Sequence, residues 1–384
     1  MLLAVRGGGH SVAGFSTCDG GMVLDLSRMR AVTVDPLARR ARAEGGAHLS
    51  QLDAAAQAHG LVCPVGVIGH TGVAGLTLGG GMGRLQRKYG LTVDNLLAVD
   101  LITADGEKIR ASADENPDLF WGLRGAGANF GVAISFEFRL HPLEGTVFMG
   151  MVAFPVDRSL EIAPRVRELV ATHDDVHVAV YFTRSEELGG RPVFAVGAMH
   201  TGSIDLAERD LRALRETSPL LDTFASRQYL DVQGMNDQAM GWGKRFYTKA
   251  GFFPELTDEV VSRCAELVDT IPSGGELSMW AHGGAVSRVS DDAMAYTGRT
   301  AAFNIGAELS WTDPADDDGR IAWGRAAIAA LKPLMGTGTY VNDVVEADTN
   351  GAQIYGRAKY ERLVGLKRKY DPDNFFRLNQ NIRP

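Results

Sequence analysis

The stretch RGGGHS, Arg6–Ser11, sets an arginine, three glycines and a histidine directly after the apolar run LLAV. Glycine gives up more backbone freedom on folding than any other residue, so a triple glycine implies that the backbone itself must come close to something. At the end of a strand such a turn can aim backbone N–H groups at phosphate oxygens, and Arg6 adds a fixed positive charge. The neutral imidazole of His10 is a competent nucleophile. Taken alone, the turn is equally a tight connection between strands, and His10 equally a turn histidine bonded to backbone. A second stretch, GVIGHTGVAGLTLGGGMG, carries glycines at 66, 69, 72, 75, 79, 80, 81 and 83, interleaved with Val, Leu and Thr. That spacing lets a chain wrap along a flat, elongated ligand, the shape of a dinucleotide. Neither stretch is a Rossmann fingerprint: GAGANFG, Gly125–Gly131, has the wrong final spacing and precedes a strand, and no P-loop lysine follows any of the glycines.

The elements that must position these residues alternate along the chain. Short β-like runs cover Met22–Leu26 and Val32–Asp35, and HLSQLDAAAQAHGL reads as a helix that stops at Gly60. NLLAVDLITADGE reads as a strand with an Asp-Gly turn, and FGVAISFEFRLHPL as a strand alternating apolar and polar side chains. After Pro142 the pattern changes to the strands TVFMGMVAF, VHVAVYFTR and PVFAVGAMHTG, and the amphipathic helices SLEIAPRVRELVATH and IDLAERDLRALRET. This predicts a sheet with helices on one face. RIAWGRAAIAALKPL is a further helix; Tyr340, a loop rich in Asp and Asn, a last helix ended by Asp-Pro and an Asn-rich extended tail follow it.

The bulk properties remove several function classes. At 384 residues the chain has room for two domains, and 45% hydrophobic with 22% charged residues is ordinary globular composition. A net charge of −8 without long basic runs argues against nucleic acid as a partner. Cys18, Cys63 and Cys264 form no CxxC pair, so neither a disulfide framework nor a metal site is expected, and a reducing, cytoplasmic setting fits best. No apolar run is long enough to span a bilayer, so no membrane partner is expected.

Four segments, RGGGHSVAGFSTCDGGMVLDLSRM, HTGVAGLTLGGGMGRLQRKYGLTVDNLLAVDLITADGE, PDLFWGLRGAGANFGVAISFEFRLHPL and LKRKYDPDNFFRLNQNIRP, together resemble the FAD-linked oxidases of the berberine bridge enzyme type, in a bacterial branch. The resemblance is strong to about Leu143 and again from Tyr340, and weak between. It implies an α+β, two-domain PCMH-type FAD-binding fold. The FAD-binding domain would span 1–143, an antiparallel-sheet substrate domain covered by helices 144–339, and a C-terminal segment returning to the FAD domain 340–384.

In this family the turn matching Arg6, Gly7, Gly8, Gly9, His10 and Ser11 holds the FAD pyrophosphate. The histidine matching His10 is bonded to the flavin 8-methyl carbon. The resemblance further implies cofactor contacts at His70, Thr71, Gly72, Gly75, Gly80, Gly81, Asn95, Gly131, Val132, Asn379 and Asn381. For His70 a turn cap, and for the two asparagines a solvent-facing tail, are the plain alternatives. Some relatives carry a second flavin link through a cysteine, but Cys63 lies upstream of the matching position, near Ile68, and reads as a buried small hydrophobe. Tyr340 matches a tyrosine that approaches the substrate; Asp343 stands where relatives often have an aromatic residue, which puts a carried-over base in doubt. Trp280, Trp311 and Tyr181 are candidates for the pocket lining or for core. Relatives carry several dozen residues before the first glycine turn, which implies missing strand partners and a part of the FAD site.

The implied activity is a flavoprotein oxidase taking hydride from a C–H next to a hydroxyl or amine of a small molecule, with O2 as acceptor. A dehydrogenase with another acceptor and a truncated flavin-binding remnant are the other readings.

Overall fold

The computed structural model describes residues 1–346 and 351–384; the Asp- and Asn-rich loop after Tyr340 falls partly on 347–350, outside them. Two sheets organise the chain. The first has five antiparallel strands in the order Val32–Asp35, Arg40–Glu44, Val132–Arg139, Leu96–Ile102 and Lys108–Ser112. Alternation sends Ala41, Ala43, Val99, Leu101, Phe136 and Phe138 to one face, where they pack on helices Leu49–Gln57, Pro117–Ala126 and Arg357–Tyr370. The other face carries a ladder of ion pairs joining Arg40, Arg42 and Arg110 to Asp100 and Glu137. The expected Asp-Gly turn joins Leu96–Ile102 to Lys108–Ser112, with the N–H of Gly106 donating to the carbonyl of Thr103.

Strand Leu3–Arg6 pairs in parallel with Met22–Asp25, and Leu3 packs with Leu26, Val132 and Phe376 beneath the first glycine turn. The apolar side chains of Met22, Val23 and Leu24 on its partner strand are exposed.

The second sheet is antiparallel throughout, in the order Leu221–Asp222, Thr146–Pro155, Arg191–His200, His177–Ser185, Gly275–Ala281, Phe303–Trp311 and Arg245–Phe253, with Ala225–Gln228 also pairing on Thr146–Pro155. One face, with Val152, Phe154, Val180, Phe182, Phe194, Met279 and Ile305, is sealed by helices Ser159–Thr172, Ile204–Arg215, Asp258–Leu267 and Asp317–Leu331. The opposite face is half-wetted and carries Met149, Met151, Tyr181, Glu276, Trp280 and Glu308. Trp311 lies instead among Tyr247 and Leu309 in a small buried cluster, so it is core and not pocket.

Two side chains from the run QRKYG fix the second sheet against the second glycine stretch. The guanidinium of Arg87 donates to the carbonyls of Val170, His173, Val176 and His282, and Gln86 Nε2 donates to Ala281 O at 2.9 Å. Deeper in, Asp53 on helix Leu49–Gln57 accepts from Gln233 Nε2 at 3.2 Å, and its second oxygen is buried without a partner.

The last helix ends in a fully buried ion pair. Lys367 Nζ bonds Asp371 Oδ2 at 2.6 Å and donates to the carbonyls of Asn129 and Phe376 at 2.8 Å each. Asp371 in turn accepts the N–H groups of Phe375 and Phe376. This knot turns the chain so that the tail runs back to the first sheet.

Lys367→Ala leaves Asp371 buried and uncompensated and is expected to lower the unfolding free energy by about 3–5 kcal/mol in urea titrations. Lys369→Ala, which removes an exposed pair with Asp118, is expected to leave it nearly unchanged. Burial pushes the Asp53 carboxyl up to about 7. The unfolded chain therefore releases this proton near pH 4 while the folded chain holds it to about pH 7. Stability falls through that window by about 1.4 kcal/mol per pH unit. Asp53→Asn is expected to stabilise the protein more at pH 8 than at pH 5; a pH-independent difference in melting would contradict the assignment.

Candidate functional site

The first turn leaves strand Leu3–Arg6 and runs against the second glycine stretch. A Cβ on Gly8 would overlap the backbone nitrogen and Cα of Gly72, and one on Gly72 would overlap the nitrogen of Gly8. The two backbones therefore touch, which only glycine at both positions permits. Ser11 Oγ accepts the N–H of Phe15 at 3.2 Å and closes the turn. Arg6 folds back over Gly9 and lies 4.0 Å from Asp25, both half exposed to solvent, so its guanidinium remains available to an anion.

The second stretch is held from behind by helix Leu49–Gln57 and the residues before it. The N–H of Leu49 donates to Thr71 O, and that of Val73 to Ala47 O, each at 2.9 Å. Within the stretch Val73–Gly79 is a short helix, an element that the glycine spacing does not reveal. Its buried side, Val73, Thr77 and Leu78, supplies the packing that overrides the glycines, while Gly75 faces open space.

This contact brings His10 and His70 together with their ring centroids 5.0 Å apart. Trp242, from the far part of the chain and exposed, lies 6.1 Å from His10 and 5.7 Å from His70. Asp237 completes the group, accepting the Gly69 N–H at 2.6 Å, while its carbonyl lies 3.3 Å from His70 Nε2. His70 Nδ1 is buried with no partner. Burial, followed by the neighbouring His70, pulls the His10 imidazole down to about 4, so the ring is neutral and nucleophilic at physiological pH. Cys63 is fully buried, and burial pushes its thiol well above the usual range.

Tyr340 closes the other end. It is buried, and its hydroxyl accepts the N–H groups of Gly81 and Met82 at 3.1 and 3.4 Å and Asn342 Nδ2 at 2.8 Å. Burial and the nearby Asp343 push the phenol above its ordinary value, so it keeps its proton. Gly80, at φ +131, leaves room for the ring of Tyr296 beside it.

The tail returns to the stretch Gly125–Gly131. Asn379 Nδ2 donates to Ala128 O at 2.7 Å and to Phe376 O at 3.1 Å, and Asn129 Oδ1 accepts the Ile382 N–H at 2.9 Å. The side-chain oxygens of Asn379 and Asn381 are buried without partners. Asn95 is occupied elsewhere: its Nδ2 donates to the carbonyls of Tyr89 and Leu91, and its Oδ1 lies 2.6 Å from His141 Nε2. Gly131 packs against Ile102 O and Val132 sits in the apolar cluster with Leu3, so both support the turn from below. The structure thus gathers Arg6–Ser11 with His70–Gly72, brings the tail to Gly125–Gly131, and leaves Asn95 to brace a loop. Trp242 and Asp237 went unread in the sequence because nothing local ties them to a glycine turn so far upstream. Among the described residues no group of three or more His, Cys, Asp or Glu could hold a metal ion, and no helix is long and apolar enough to cross a membrane.

Comparison with known proteins accords with this geometry. Residues 1–112 match the family described as FAD binding domain, and residues 339–383 the family described as berberine and berberine like. The chain is 31% identical over 400 residues to (R)-6-hydroxynicotine oxidase of Paenarthrobacter nicotinovorans, covering 100% of this chain and 86% of that protein. The crystal structure of 6-hydroxy-D-nicotine oxidase from Arthrobacter nicotinovorans superposes with a TM-score of 0.87 at 30% identity, covering 100% of this chain and 87% of that one. BBE-like 1 of Physcomitrella patens shares the fold at a TM-score of 0.89 and 22% identity, over 100% of this chain and 86% of its own. The chain accordingly belongs to the FAD-linked oxidoreductases of the berberine bridge enzyme-like family.

Proposed function

We propose that this chain is an oxidase that takes hydride from a small molecule at a carbon bearing a hydroxyl or an amine, with FAD attached to His10 and O2 as the final acceptor. The single observation that carries the reading is the contact of Gly8 with Gly72, which sets a neutral His10 beside an open backbone cradle. The residues fit the cofactor: the buried oxygens of Asn379 and Asn381 lack partners and suit the polar edge of a flavin, and the unpartnered Nδ1 of His70 lies beside His10 at the attachment end. When bound, FAD supplies the two-electron acceptor for the C–H bond and the site of O2 reduction.

The chain's own groups do the rest. Arg6 and the N–H groups of Gly7, Gly8, Gly9 and Ser11 bind the pyrophosphate. His10 offers a neutral ring nitrogen for the covalent bond. Thr71, Gly72, Gly75, Gly80 and Gly81 let the cofactor lie close to backbone, with Gly131, Val132 and Asn95 bracing the surroundings. Tyr340 has three donors on its oxygen and its own O–H left to give, so it orients the substrate's reacting heteroatom. In this reading residues 1–143 hold the cofactor, 144–339 the substrate, and 340–384 join the two. The three unpaired cysteines suit a reducing cytoplasm.

Purified protein is expected to be yellow, and Gly72→Ala to lose most of its flavin while the second sheet stays folded by circular dichroism. With an oxidisable amine or alcohol the wild type is expected to consume O2, and Tyr340→Phe to lower kcat by about 100-fold with little change in flavin content. Protein that stays colourless after growth and incubation with FAD, or a Gly72→Ala variant as yellow as wild type, would overturn the proposal.

A further inference from the structure

On the half-wetted face of the second sheet, three carboxylates stand together. Glu276 and Glu308 are directly opposed on neighbouring antiparallel strands, which sets their Cβ atoms about 5 Å apart. Ser278 Oγ donates to Glu308 Oε1 at 2.6 Å, and Asn304 Nδ2 donates to Asp343 Oδ2 at 2.9 Å. Asn304 and Glu308 lie on the same face of one strand with the side-chain-free Gly306 between them. Asp343 lies three residues after Tyr340, its N–H donating to the Tyr340 carbonyl at 3.0 Å, so the cluster adjoins that tyrosine.

Like charges at this spacing normally come with a cation, yet among the described residues none of the three is in an ion pair. Burial raises all three carboxyls, and the charge of Glu308 adds to the rise at Glu276, to about 8, and at Asp343, to about 7. A second feature points to something that donates hydrogen bonds. Asn304 is buried, its amide nitrogen is spent on Asp343, and its Oδ1 has no partner. The site therefore gathers carboxyl oxygens around an unpartnered amide oxygen, with the hydroxyl of Ser278 already spent on Glu308. Among the described residues no group of three or more His, Cys, Asp or Glu here could hold a metal ion.

We infer that Glu276, Glu308, Asp343 and the Oδ1 of Asn304 recognise a positively charged nitrogen, so that the substrate is a cationic amine rather than an alcohol or a sugar. The inference rests on the oxidase reading for the word substrate, but the binding site stands on its own. An N–H-bearing cation satisfies Asn304 and offsets the repulsion between the carboxylates in one step. Trp280 and Tyr181, on the same face, offer ring surface to the apolar part of such a molecule.

The test uses the flavin-loaded protein and two molecules of one shape, benzamidine, a cation without an oxidisable α C–H, and neutral benzamide. Benzamidine is expected to bind at least about 10-fold more tightly by calorimetry, and Glu308→Gln and Asp343→Asn each to weaken it by about 10-fold while leaving benzamide binding unmoved and the melting temperature no lower. Both substitutions remove a buried charge without changing shape, so folding is safe, and the wild-type comparison needs no variant. Anaerobic flavin bleaching by benzylamine is expected to outpace that by benzyl alcohol. Equal binding of the two amidine and amide probes, or faster bleaching by the alcohol, would overturn the inference while leaving the oxidase reading intact. Carboxylate-dependent benzamidine binding in a protein that no amine or alcohol reduces would support the cation site and count against the oxidase.

Discussion

Gly8 and Gly72 lie closer than two residues with Cβ atoms could, and the rest of the site follows from that approach. It joins a turn at the start of the chain to a stretch more than sixty residues later, and that stretch is in turn fixed by Ala47 and Leu49 through backbone bonds. The Gly69 N–H binding the carboxylate of Asp237 adds the distant segment that carries Trp242. His10, His70 and Trp242 meet because three separate backbones are clamped. A methyl group at either glycine would have to push apart two main chains, which cannot yield as a side chain can.

Magnitudes separate the groups that serve structure from those held ready for a ligand. The Arg6–Asp25 pair is long and half exposed, the kind of contact that contributes little, so Arg6 can leave it for a phosphate. The Lys367–Asp371 pair is fully buried with every oxygen and hydrogen used, and breaking it exposes a desolvation cost of several kcal/mol. Glu276, Glu308 and Asp343 fall in neither class. They are crowded without a cation, and the protein carries that cost in the cleft rather than in the core. Burial works in opposite senses at the two ends, keeping His10 uncharged and Tyr340 protonated.

Much of the architecture was legible from local pattern. The strands Val132–Arg139, His177–Ser185 and Arg191–His200 and the helices Ser159–Thr172 and Ile204–Arg215 follow runs whose alternation or spacing is strong. Strands Gly275–Ala281 and Phe303–Trp311 were not, because GELSMWA and FNIGAELSW put glycine, serine and glutamate on the wetted face, which weakens the apolar signal. The helix Val73–Gly79 was hidden by its glycines. At the site, Arg6–Ser11 and the Asn-rich tail were visible because their chemistry is local. Trp242, Asp237 and the carboxylates were not, because strand register and tertiary packing bring them to the cleft. Asn95 differs again: the resemblance implied a cofactor contact there, while its hydrogen bonds go to Tyr89, Leu91 and His141.

The central claim is that the Gly8–Gly72 contact presents His10 to a flavin. Trypsin cleaves after Arg6 and Arg28, releasing a single peptide that contains His10. Mass spectrometry of that peptide from yellow, fully loaded protein is predicted to show the added mass of FAD on the histidine. Recovery of the peptide wholly unmodified from such protein would contradict the account.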